Sequence, residues 1–251
     1  MKSLVIDKKD LKHNIKQIKD LAKSNYKNEN GEDYKIIAVI KGNGYGLGLI
    51  QYAKILIDQG ISTLAVATIE EGIELREAGI EVDIIELSQA GIKSELKKLI
   101  ENNIIITIGS AEEANIVNEI GQELEKKVRA HIKIDTGFGR YGFIYNTQIK
   151  EIIEVYKNFE NIQIEGTFTH FSNSCSNKEK DTKTQFDRFI NTIETLKMND
   201  VNPGMLHVCN SSAFLKYKYM HLNAARIGSA LTGRILVQNT IRTKTNWEIK
   251  N

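Results

Sequence analysis

In "IIAVIKGNGYGLG", Ile36 to Gly48, an apolar run ends on one lysine, Lys41, and a turn with glycines at 42, 44, 46 and 48 follows. A lysine that is partly desolvated loses its proton near neutral pH and attacks an aldehyde, giving a Schiff base. The glycines leave the turn's dihedrals free and let a bulky ring or a phosphate approach the backbone, and Tyr45 adds a hydroxyl donor. A Walker-type phosphate loop is excluded, because "GNGYGLG" is not followed by Lys-Ser or Lys-Thr. Further along stand Lys133, Arg140, His170, Asn210, Ser211 and Arg226. Each has a bland reading by itself. A lysine after a strand is mostly a solvated loop cation, a lone histidine mostly structural, and "NSS" mostly a helix N-cap.

What gives them joint meaning is the frame that carries them. Short β-rich apolar runs alternate with amphipathic helical stretches. Strands are expected near Ile36–Ile40, Thr63–Ala67, Val82–Glu86, Ile104–Thr107, Arg129–Ile134, Ile164–Thr169, Leu206–Val208 and Leu222–Arg226. Helices fill most of the gaps. Thr68 with Glu71 and Ser110 with Glu113 have capping-box spacing, and a helix from Ala111 to about Lys126 places Ala114, Val117 and Ile120 on one face. Asp181 to Met198 repeats that pattern with Phe186, Phe189, Ile190 and Ile193. Eight strands alternating with helices indicate an α/β fold, a (β/α)8 TIM barrel, with a doubly wound open sheet as runner-up. In such a barrel the C-terminal strand ends line the active-site mouth. Lys41, Lys133, His170, Asn210–Ser211 and Arg226 then fall at five of eight such ends, with Arg140 just beyond one of them.

The chain has 251 residues, of which 41% are apolar and 26% charged, and 34 basic against 32 acidic groups leave a net charge of +2. That balance offers no footprint for nucleic acid. No apolar run reaches the ~20 residues of a membrane helix, and the start turns polar too early for a signal peptide. Cys175 and Cys209 cannot form a disulfide framework, so a reduced, cytoplasmic setting is the default. No metal ligand is expected. Residues 1–230 read as the barrel domain. Within residues 1–8 a short strand at Ser3–Ile6 stands outside the barrel pattern. Residues 231–251, with a strand expected at Leu231–Val237, read as the start of a second, all-β unit cut from a longer polypeptide.

"AVIKGNGYGLG" resembles the cofactor-lysine motif of the fold-type III pyridoxal phosphate enzymes in the alanine racemase form. "HIKIDTGFGRYGF", "GTFTHFSNS", "HVCNSSA" and "ARIGSALTG" resemble its later segments, in order along essentially the whole chain. The resemblance implies the barrel, an N-terminal strand packed with a second β domain, and pyridoxal 5′-phosphate as cofactor. It implies an amino-acid racemase, interconverting L- and D-amino acids by Cα proton transfer. Lys41 would condense with the cofactor aldehyde and act as one acid/base group. Tyr45, Ser211 and the backbone at Gly228 and Ser229 would cup the phosphate, with Asn210 close by. Arg226 would meet the pyridine nitrogen, His170 would lie against the ring, and Arg140 would face the phenolic oxygen and the substrate carboxylate. Lys133 matches a position that is carbamylated in some members, where it orients that arginine. A guanidinium with a pKa above about 12 does not protonate the ring nitrogen. Arg226 therefore points to reversible proton transfer rather than to a decarboxylase.

The family's Lys-Ala-Asn-Ala-Tyr-Gly-His-Gly becomes a sequence with Gly42, Gly44 and Leu47, and Ile227 and Thr232 also depart from the pattern. The extra glycines are expected to loosen the turn. Racemisation needs a base on each face of the substrate. In this family the second base is a tyrosine from the β domain of a partner subunit, which implies a head-to-tail homodimer for the full-length protein. The chain alone is thus expected to bind cofactor and racemise poorly. The alternative is a single-domain barrel that binds pyridoxal phosphate and manages its supply without catalysis.

Overall fold

Runs of three to eight residues rich in β-branched and other apolar side chains form the barrel strands, and the helices between them turn an apolar stripe inward. The computed structural model describes residues 6–25 and 33–235. In chain order it contains α1 (Lys8–Asn25), β1 (Lys35–Val39), a short distorted turn α2 (Lys41–Tyr45), α3 (Leu49–Asp58), β2 (Thr63–Val66), α4 (Ile69–Glu77), β3 (Asp83–Glu86), α5 (Lys93–Glu101), β4 (Ile106–Ile108), α6 (Ala111–Glu123) and β5 (Val128–Asp135). Then follow β6 (Phe143–Ile144), α7 (Ile149–Asn158), β7 (Ile162–Phe168), α8 (Glu179–Met198), β8 (Met205–Cys209), α9 (Ser211–Lys216) and β9 (Ala224–Ile227), with 3-10 turns at Lys218–Met220 and Ser229–Thr232.

All strand pairs are parallel, in the order β3-β2-β1-β9-β8-β7-β5-β4, and β6 adds a two-residue pairing beside the end of β5. The seam between β3 and β4 is joined at a bridge of Ile85 with Ile105, through Ile105 N–H to Ile84 O at 2.8 Å and Glu86 N–H to Ile105 O at 2.9 Å. The sheet is therefore a closed eight-stranded barrel, as expected, and every expected barrel strand is present within two residues of its expected ends. Among the described residues no helix is long and apolar enough to cross a membrane.

Two cores divide the molecule. Outside the barrel, Ala38, Ile40, Leu64, Val66 and Ile84 pack against helix residues such as Ile15, Leu56, Leu75 and Val117. Burying each large aliphatic side chain there contributes roughly 1.5–3 kcal/mol. Inside, a small apolar cluster of Ile37, Val39, Ala65, Ile85, Ile105 and Ala224 shares the lumen with polar residues. The pairing register puts Thr107 beside His131, Lys133 beside Phe168, Phe168 beside His207, and Arg226 beside Ile37. Such an interior is costly unless every polar group finds a partner.

One expectation at the C-terminal edge changes, and one at the N-terminal edge falls mostly outside the described residues. Leu231 does not begin a strand. Ser229–Thr232 is a 3-10 turn with Ala230 and Leu231 fully buried in the core between the barrel and its helices. Residues 236 and 237 lie outside the described residues. So do residues 3–5 of the expected N-terminal strand, and of that segment Ile6 and Asp7 are not strand while α1 begins at Lys8.

Candidate active site

Nine of the ten residues singled out by sequence line one cavity of about 400 Å³ at the C-terminal end of the barrel: Lys41, Tyr45, Arg140, His170, Asn210, Ser211, Arg226, Gly228 and Ser229. The tenth, Lys133, does not line it.

The turn after β1 is left-handed. Gly42, Asn43, Gly44 and Tyr45 have φ of 65°, 52°, 62° and 57°. A Cβ costs roughly 1–2 kcal/mol per residue in that conformation. Gly42 and Gly44 thus relieve strain here rather than loosening the turn. Asn43 tolerates the conformation because its Oδ1 accepts from Leu49 N–H at 2.8 Å, while its own N–H donates to Glu71 Oε1 at 3.0 Å. Glu71 also accepts from Ala67 N–H, so the expected capping box is displaced: Thr68 Oγ1 takes the Glu71 amide, but the Glu71 carboxylate ties α4 to the lysine turn. Ser110 likewise caps Glu113, whose carboxylate turns back to Gly109 N–H.

The turn delivers the Tyr45 hydroxyl onto Gly228, so close that any Cβ at Gly228 would collide with it. Ser211 Oγ accepts from the amides of Gly228 at 3.1 Å and Ala230 at 3.3 Å. A hydroxyl that accepts twice keeps its own proton to donate. The Gly228 amide is spent on Ser211, and the hydroxyls of Ser211 and Tyr45 are donors that can turn to an anion. Asn210 is committed: its Oδ1 caps α9 at Ala213 N–H, 3.0 Å, and accepts from Ser174 Oγ at 2.8 Å.

Arg226 forms the buried floor. Its NH1 donates to His207 Nδ1 at 2.7 Å and His207 O at 2.8 Å, and its NH2 to Thr169 O at 2.7 Å and, longer, to His170 Nδ1 at 3.3 Å. Phe168 lies under the guanidinium at 4.9 Å. Burial lowers the Arg226 pKa to about 10, which leaves the group charged at pH 7. Burial first, then the cation of Arg226, holds His170 well below the usual histidine range, so it faces the cavity neutral.

The opposite wall is open. Lys41 is exposed, so the partial desolvation expected of it is not supplied by the described residues. Arg140 is also exposed and stacks over Phe138 at 4.6 Å. The turn that presents it hangs on Asp135, whose carboxylate accepts from the amides of Gly137, Phe138 and Gly139 at 2.8–2.9 Å. Lys133 is only 1% exposed and reaches sideways, donating to Tyr141 O and lying 4.1 Å over the Tyr141 ring. Its inward position on β5 takes it beneath Tyr141 instead of into the cavity.

Sequence reasoning missed Asp135, Phe168, Tyr141 and Gln185. Gln185 Oε1 accepts from Ser172 N–H at 2.9 Å, binding α8 to the loop after His170. Asp135 had a signal, since an aspartate before "TGFG" is placed to cap a glycine turn.

Pyridoxal 5′-phosphate fits these residues: the bare Gly228 backbone beneath two hydroxyl donors suits a phosphate, and a donor-only guanidinium suits an unprotonated ring nitrogen. The family described as "Alanine racemase, N-terminal domain" matches residues 6–235. The alanine racemase of Methanococcus maripaludis is 35% identical over 228 residues, covering 91% of this chain and 59% of that protein. Alanine racemase 2 of Caldanaerobacter subterraneus is 33% identical over 222 residues, covering 88% and 55%. The chain thus spans little more than half the length of these relatives. Among solved structures, the alanine racemase of Clostridium difficile 630 in complex with cycloserine superposes with a TM-score of 0.87 at 34% identity, covering 94% of this chain and 62% of that one. That of Bacillus anthracis with bound L-Ala-P gives 0.84 at 26% identity, covering 98% and 61%. Barrel, motif order and relatives agree, and the chain belongs to the alanine racemase N-terminal domain family.

Proposed function

We propose that this chain is the cofactor-binding barrel of an amino-acid racemase that uses pyridoxal 5′-phosphate. The observation that carries the reading is the meeting of Tyr45, Ser211 and Gly228 in the same cavity as Lys41 and Arg226. The relatives' shared name favours a racemase over a protein that only stores or supplies the cofactor. Bound there, pyridoxal phosphate supplies an electron sink that lets an amino acid's Cα give up its proton. Tyr45 and Ser211 hold the phosphate, with the backbone at Gly228 and Ser229 leaving room for it and Asn210 fixing the start of α9. Lys41 would hold the cofactor through Nζ and would serve as the acid/base group on one face of the substrate. Arg226 would face the ring nitrogen and leave it unprotonated, which would confine the chemistry to proton transfer. His170, held neutral, would pack against the ring, and Arg140 would receive the substrate carboxylate.

Among the described residues lining the cavity, both tyrosines are committed, Tyr45 against Gly228 and Tyr141 as donor to Leu87 O. The resemblance to the family assigns the base for the second face to a tyrosine from a partner subunit in a homodimer, and the open rim leaves access for it. We assign residues 1–230 to the barrel unit, a reading supported by the family match over residues 6–235. The two free cysteines, Cys175 and Cys209, suit a reducing compartment such as the cytoplasm.

Lys133 is assigned as a carbamylation site. Burial lowers its pKa to about 8 despite Asp135, with Arg140 and Arg226 adding repulsion. The neutral amine adds CO2 and releases a proton, and the resulting anion would attract Arg140. A ¹³C-bicarbonate carbamate resonance absent in Lys133→Ala would support this; the same spectrum in both would refute it.

The whole reading is tested by adding pyridoxal phosphate. A visible absorbance band that Lys41→Ala lacks is expected. No band, or one unchanged in Lys41→Ala, would overturn the lysine assignment.

A further inference from the structure

Arg226 is the first of three buried side chains in a line through the lumen. Its NH1 meets His207 Nδ1 at 2.7 Å, and His207 Nε2 meets His131 Nδ1 at 2.8 Å. A guanidinium has donors only, so His207 must accept at Nδ1, carry its proton on Nε2 and give it to His131 Nδ1. His131 then keeps its own proton on Nε2. Burial, followed by the Arg226 charge, keeps both imidazoles neutral, with His131 lowered to about 3.

The backbone is shaped around this line. The β5–β7 register shifts between Ala130 and His131, and the β8–β9 register shifts between His207 and Cys209. Such bulges re-aim side chains. Gly166 on β7 makes the room: a Cβ there would lie 2.8 Å from His131 Cε1 and 2.9 Å from Nδ1. Phe168 stacks on His207 with ring centroids 4.8 Å apart at 10°, under the same guanidinium. The far imidazole lines a separate cavity at the other end of the barrel, below the ion pairs of Arg129 with Asp83 and Glu165.

We propose that His131 is a positioning residue for Arg226: by accepting from His207 it fixes that ring's tautomer and tilt, and so the aim of the guanidinium at the cofactor's ring nitrogen. The last clause rests on the function proposed above; the hydrogen-bond order itself does not.

Two measurements separate these. In the cofactor-free chain, ¹⁵N–¹H spectra at pH 7 are expected to show His207 and His131 neutral and protonated at Nε2. An Nδ1-protonated or cationic His207 would overturn the proposal whether or not cofactor binds. Second, affinities are compared for pyridoxal phosphate and for its analogue with carbon in place of the ring nitrogen. The parent chain is expected to prefer the natural cofactor. His131→Leu is expected to lose about tenfold of that preference, while His131→Asn, whose amide oxygen takes the place of Nδ1, keeps it. An unchanged ratio in His131→Leu, or no preference in the parent, would refute the positioning role. Should His131→Leu fail to fold, the spectra of the parent chain decide. Should pyridoxal phosphate not bind at all, the proposed function fails and the spectra still judge the relay.

Discussion

The two ends of the cavity are built differently. At the phosphate end, Tyr45, Ser211 and Gly228 are held by backbone: a left-handed turn, two amides on one hydroxyl, and a glycine with no room for a Cβ. At the rim, Lys41 and Arg140 are exposed, and Arg140 rests on the faces of Phe138 and Tyr141. A site formed before its ligand arrives loses little entropy on binding. The difference teaches that the phosphate cup is formed in advance, while the rim that carries Lys41 and Arg140 stays open.

The sharpest way to break the contrast is to fill the cup. Gly228→Ala drives a methyl into the Tyr45 hydroxyl and is expected to weaken pyridoxal phosphate binding about 100-fold in a fluorescence titration. A loss under threefold would mean that the cup is not where the phosphate sits.

A second variant probes the wall behind Tyr141, away from both ends. Burial raises Glu113 to about 7, with Glu86 adding repulsion, against backbone hydrogen bonds from Gly109 and Ala90 that pull it down. An unfolded glutamate titrates near ~4.3. The folded form therefore holds a proton that the unfolded form releases. Its stabilising effect is complete below about pH 4 and is lost as pH rises through about 7. Glu113→Gln, which mimics the protonated form, should gain stability over the parent as pH rises from 5 to 8, by roughly 2 kcal/mol. Parallel melting-temperature profiles would contradict this.

The smallest effect is expected at the rim. Asp135→Ala frees three amides of the turn carrying Arg140 and should cost about 1 kcal/mol of stability, with cofactor affinity within about threefold of the parent. A large loss of cofactor affinity would show that the rim is part of the grip after all.

The barrel was legible because its strands are short apolar runs separated by periodic helices, and the site because Lys41, Arg226 and "NSS" fall at strand ends. The sequence did not show that Lys133 turns under Tyr141, since parity gives the inward face but not the height at which a long side chain leaves it. Nor did it show Ser229–Thr232 as a 3-10 turn: "SALT" before "GRILV" has strand composition, and burial of Leu231 overrode it. The partnership of His131 with His207 spans 76 residues and depends on two register shifts, which no local pattern announces.

The most direct test of the whole account is to reduce the pyridoxal phosphate complex with borohydride and map the modified peptide by mass spectrometry. The account predicts one phosphopyridoxyl group, on Lys41, in the peptide that runs into "GNGYGLG". Label on Lys133 or spread over surface lysines would contradict it.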